Sequence, residues 1–170
     1  MPRASRTGAL AALACLLLLA TAAAALSAPR IVPGQRIGPV RIVAERAQVE
    51  GAIGPGLVIA RVPSSIAPGN RNLDEVTVAY PAWSVVVRYL TDEASTLVTA
   101  VTTRAPRYRT PGGVGVGSTR AQVRAAHPRA VCTAAACRVG RALPEAVVTR
   151  FALSGDRVTK VALFRLPPAP

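Results

Sequence analysis

Gly112 to Cys137 reads GGVGVGSTRAQVRAAHPRAVCTAAAC, and the parsing of the whole chain turns on it. A glycine-rich approach leads into a helix start, then to the only histidine, His127, and to Cys132 and Cys137. Thr119 with Gln122 three residues on has the spacing of a capping box, in which each side chain takes an early backbone amide of the other. Val123 and Ala126 give the helix an inward face, and it should end near His127-Pro128, because the residue before proline avoids the helical region. A second copy of the signature lies 74 residues upstream, where Arg46-Ala47-Gln48-Val49 matches Arg120-Ala121-Gln122-Val123.

Working outward, the upstream copy predicts a helix over 45–53, ended by Gly54-Pro55-Gly56. Arg30 to Val43 is extended and turn-rich, with Pro33-Gly34 and Gly38-Pro39. A short strand over 57–61 and a loop over 63–72 follow. Val76, Val78 and Tyr80 alternate, as do Val85, Val87 and Tyr89 after Pro81-Ala82, which reads as a hairpin with one buried face. A further strand is expected over 97–104. Beyond the second helix, 147–153 and 157–166 flank Ser154-Gly155-Asp156, a turn suited to glycine. The expected fold class is therefore α+β: two related units, each a short helix followed by antiparallel strands, sharing one sheet. The expected boundaries are a leader over 1–28, units over 29–110 and 111–166, and a proline-rich tail over 167–170.

The leader has Arg3 and Arg6 ahead of an apolar run from Ala9 to Leu26, with small residues following, which is the arrangement of a secretory signal. The run of 18 reaches the lower limit for spanning a bilayer, so an uncleaved anchor is the alternative, with the domain outside in either case. Export makes Cys132 and Cys137 a disulfide. Closing so short a loop contributes roughly 2 kcal/mol, a local staple rather than the source of the fold.

The 170 residues include 21 Lys+Arg against 8 Asp+Glu, for a formal charge of +13. Twenty of the cations are arginine, and a chain without Arg3 and Arg6 would carry +11. Such a field attracts anionic partners. The arginines are spread along the chain, so no dedicated basic arm is expected. Arg104-Ala105-Pro106-Arg107-Tyr108-Arg109 interleaves one aromatic with three arginines, too little for a nucleic-acid platform, and reads as a solvated connector. Trp83, the only tryptophan, is expected to cap the core at a strand end, with an exposed binding anchor as its alternative.

Catalysis needs convergent titratable groups, and the sequence has one histidine, no G-x-S-x-G, no H-E-x-x-H and scattered acids. Gly112, Gly117, Ser118 and Thr119 approach a phosphate-loop template but place Ser118 where that template needs lysine. His127, Cys132 and Cys137 could ligate zinc only with reduced thiols and a fourth ligand such as Glu145, and their spacing fits none of the usual patterns. No enzyme activity, cofactor, metal or nucleic-acid partner is expected. The leading expectation is an exported binding or structural module meeting an envelope protein or an anionic envelope polymer. The alternative is a secreted inhibitor of an extracellular hydrolase. Trp83, Arg107, Tyr108 and Arg109 are the candidate interface residues.

With these residues in view, the chain resembles a group of uncharacterised exported actinobacterial proteins. The resemblance rests on IVPGQRIGPVRI (31–42), Tyr108-x-Thr110 leading into GVGVGSTRAQV, the two cysteines with Val139-Gly140, and the closing VTRFALSGDRVTKVAL (148–163). More distantly, the architecture is similar to the beta-lactamase inhibitory protein and the small lipoproteins of outer-membrane assembly. Those resemblances imply helix-and-sheet units and carry no contact residue over to this chain.

Overall fold

The structure, a computed structural model, describes residues 30–64 and 73–168. The leader expected over 1–28, most of the loop expected over 63–72 and the last two residues of the tail lie outside the described residues. The chain opens with three two-residue strands, β1 (Ile31–Val32), β2 (Arg36–Ile37) and β3 (Val40–Arg41), which pair antiparallel into a small sheet. Helix α1 (Arg46–Ile53) follows. Then come β4 (Leu57–Ser64), β5 (Leu73–Tyr80), β6 (Val85–Thr91) and β7 (Thr96–Thr103), with a 3-10 turn at Pro81–Trp83 between β5 and β6. Helix α2 (Arg120–Ala126) precedes β8 (Val131–Cys132), β9 (Ala136–Val139), β10 (Val147–Ser154) and β11 (Arg157–Arg165).

Strands β4 to β11 form one antiparallel sheet in the order β4-β5-β6-β7-β11-β10-β9-β8. Period-2 alternation decides which way each side chain points. Val76, Val78 and Tyr80 of β5, Val85, Val87 and Tyr89 of β6, Val161 and Leu163 of β11 and Phe151 of β10 all lie on one buried face. Ile31, Ile37 and Val40 from the small sheet, Val49 from α1, Val123 from α2, and Tyr108 and Val114 from the connecting chain join them in a single cluster. Two buried hydroxyls meet inside this aliphatic core. Tyr80 and Tyr89 share a hydrogen bond of 2.7 Å between their phenols. Burial pushes both phenols above their ordinary value, so they serve as a neutral pair.

The expected pair of helix-then-strand units is corrected by this architecture. The described residues are mostly β, with 49% strand and 14% helix, in one eight-stranded and one three-stranded sheet. The helices have 8 and 7 residues, about two turns each, too short to build a layer of their own. The stretch expected to be merely extended and turn-rich pairs with itself as β1 to β3. The junction of β7 with β11, Val161 opposite Thr103 and Leu163 opposite Val101, carries the ladder across the boundary expected at residue 110. Among the described residues, no helix is long and apolar enough to cross a membrane.

Local expectations fare better. Both helices start at the Arg-Ala-Gln-Val tetrapeptide. Thr119 Oγ1 accepts from the Gln122 amide at 3.2 Å, and Gln122 Oε1 accepts from the Thr119 amide at 2.8 Å. The helix stops at His127. Cys132 and Cys137 are bonded to each other, directly opposite across the β8–β9 ladder.

Candidate anion-binding cleft

A cleft of about 560 Å³ opens between the glycine-rich approach, α2 and the start of β11, with Arg109, Gly117, Ser118, Gln122 and Arg157 among its lining residues. The segment 104–109, expected as a solvated connector, instead anchors this region. Tyr108 is fully buried and its phenol donates to the Trp83 carbonyl at 2.6 Å. Burial raises that phenol above its ordinary value, so it remains a donor. Locked at Tyr108, the chain can only deliver Arg109 to the cleft side, where its backbone pairs with Gly115. Gly115 is obligatory, because a Cβ there would run into the Tyr108 carbonyl oxygen.

The glycine loop has spent most of its amides on acceptors of the protein itself. The Gly113 amide donates to the Thr110 carbonyl, the Gly117 amide to the Val158 carbonyl and the Ser118 amide to the Gly115 carbonyl. Those of Val114 and Gly115 go to Thr110 Oγ1 and Ser118 Oγ. A phosphate loop works by aiming such amides at its ligand, so the departure noted at Ser118 has a structural counterpart: the loop is braced, not open. What the cleft offers is guanidinium. Arg109 uses one nitrogen on Ser118 Oγ at 3.1 Å and Gly113 O at 3.4 Å. Arg157 uses one nitrogen on Gly117 O at 3.0 Å. A guanidinium carries five N–H donors in a fixed fork, so each arginine keeps donors to spare. Among the described residues, no carboxylate lines the cleft.

The nearest acids in sequence are engaged elsewhere, Asp156 with Arg120 at 3.5 Å and Glu145 with Arg165 at 3.1 Å. This exposes the signal that reading the arginines alone missed. From residue 94 to the end there are twelve cations and only two acids, whereas residues 29–93 hold seven arginines and six acids. The arginines are evenly spread and the carboxylates are not. Arg157, absent from the candidates chosen on sequence, is one of those twelve, and only the return of β11 beside the glycine loop singles it out.

Of the candidate interface residues, the structure gathers Trp83, Arg107 and Tyr108 and sends Arg109 into the cleft. Arg107 lies 5.5 Å from the Tyr108 ring centre and donates to the Ala82 carbonyl at 3.0 Å. Trp83 is half-buried and packs against the core. With Tyr108 buried and Trp83 packed inward, the four do not make an exposed aromatic cluster of the kind a hydrolase inhibitor would present.

His127 stacks on Phe151 with ring centres 6.0 Å apart, and burial holds its imidazole below the ordinary value. Because the cysteines are bonded to each other, they offer no thiolate to a metal beside it. Among the described residues no group of three or more histidines, cysteines or acids comes together. Comparison with protein-family models, curated proteins and solved structures finds no match to this chain. The function of the cleft is therefore argued from its own residues.

Proposed function

We propose that this chain is an exported, non-catalytic binding module that holds an anionic group, such as one borne by an acidic envelope polymer, in the cleft between Arg109 and Arg157. The observation that carries this reading is the pair of guanidiniums hydrogen-bonded only to carbonyls and a hydroxyl, in a cleft that no carboxylate lines. Such a pair is electrostatically unfinished, and an oxyanion completes it with charge-assisted bonds. Arginine stays protonated across the physiological range. The cleft thus holds charge without offering the proton donor and acceptor that acid–base catalysis requires. The disulfide is compatible with an oxidising, extracellular setting, in keeping with the expected leader.

Retention of the chain on a phosphate-bearing polymer, eluted in rising salt, tests this directly. Arg157→Gln should weaken binding about tenfold, with a shallower salt dependence as one ionic contact is lost. Arg109→Gln should act similarly, though it also releases Ser118. Binding that neither substitution changes, or a failure to prefer the anionic polymer over a neutral one, overturns the proposal.

A further inference from the structure

We propose that Arg138 and Arg150, with Lys160, form a second anion site on the open face of the large sheet, and that it takes a phosphate-bearing ligand. Arg138 and Arg150 are register partners across the β9–β10 ladder. Their chain neighbours Cys137 and Phe151 are fully buried, so alternation sends both arginines to the opposite face. Lys160 reaches the same face, since it stands opposite Ala152 and its neighbour Val161 is buried. The positions between and beside these cations are small: Ala136 lies opposite Ala152, and Ala162 opposite Arg150. The three charges therefore stand over a floor of alanine.

Like charges directly opposite on a sheet repel, and elsewhere on this face the arginine is offset: Arg88 bridges Glu75 at 3.4 Å. Arg138 and Arg150 have no such partner among the described residues. An oxyanion resting between the two guanidiniums, on their terminal N–H groups, would relieve the repulsion. Directly opposed residues have Cβ atoms about 5 Å apart, within reach of two forks closing on one tetrahedral group. A single carboxylate neutralises one charge of three. A phosphate ester or polyphosphate answers more of them, and its oxygens suit bidentate guanidinium contacts. This site is separate from the cleft and stands whether or not the cleft binds an anion.

Calorimetric titration of the full chain with tripolyphosphate separates the two sites by stoichiometry. Two equivalents are expected for the unsubstituted chain. Arg138→Gln/Arg150→Gln should lose one and Arg157→Gln the other. Arg150→Gln alone, at an exposed position, guards against a folding defect and should weaken the open-face site about tenfold. One equivalent that Arg157→Gln abolishes and the open-face substitutions leave intact overturns this proposal. One equivalent with the reverse pattern supports it and overturns the cleft. Sedimentation with phosphatidylglycerol vesicles identifies the source of the phosphate. Loss of vesicle binding in Arg150→Gln assigns a lipid headgroup, and tripolyphosphate binding without vesicle binding assigns a soluble or polymeric phosphate.

Discussion

The two helix entries perform the same local task with different residues. Before α1, the Val43 amide donates to the Val98 carbonyl and the Val98 amide returns to Ala44 O, both at 2.9 Å. Before α2, the Gly117 amide donates to the Val158 carbonyl at 2.7 Å and the Val158 amide returns to Ser118 O at 2.9 Å. Each entry thus docks onto a strand valine and turns into Arg-Ala-Gln-Val. Both need a left-handed residue at the docking point. Gly117 adopts it at φ 90°, and Val43 is forced into it at φ 66°. A β-branched residue there is strained, so the first entry is imposed by the sheet and the second is built by its own sequence. Only the second entry borders the cleft. Glycine and a small polar cap leave space there that Val43, Ala44 and Glu45 would fill.

The most disruptive way to break this comparison is to give the second entry the first one's residue. Gly117→Val should cost about 2 kcal/mol of stability in denaturant unfolding, from backbone strain alone, since no atom within 4 Å opposes a new Cβ. Thr119→Ala removes the cap and should cost about 1 kcal/mol, measured in the same way. The reciprocal exchange, Val43→Gly, should raise stability by just under about 1 kcal/mol, relief of strain outweighing the added freedom of the unfolded glycine. A loss at this position would show that Val43 is held by packing rather than strained.

The smallest effect expected is a pH dependence specific to the second half. The folded His127 imidazole titrates below its ordinary value of 6.5 because it is buried. Above that value both folded and unfolded chains hold it neutral and it has no effect. As the pH falls below 6.5, the unfolded chain takes up the proton first and stability declines. Unfolding midpoints between about pH 7.5 and pH 5 should show this slope, and His127→Gln should flatten it.

Alternation was readable in β5 and β6 because valine and tyrosine repeat there at period 2, and the β10–β11 hairpin was readable from its Ser154-Gly155-Asp156 turn. The second helix was readable from Thr119, Gln122 and Pro128, whose effects are local. Strands β1 to β3 were not, because two-residue strands are too short to show a period. Tyr108 was misplaced for a related reason. Three surrounding arginines made its segment look solvated, and only the tertiary fold shows the ring swallowed beneath Trp83. The cleft was half legible: Arg109 stood among the candidates, whereas Arg157, 48 residues away, reaches it only because β11 returns beside the glycine loop.

By itself, the sequence determined the helix starts, the cysteine pairing, the buried faces of β5 and β6 and the cationic surplus, all set by neighbours a few residues apart or by composition. Only the tertiary structure decided that the strands join into one sheet through β7 and β11, which arginines meet, and which are left without a carboxylate. Those outcomes depend on contacts between residues tens of positions apart, and the entropy of closing such loops is offset only when the whole core forms.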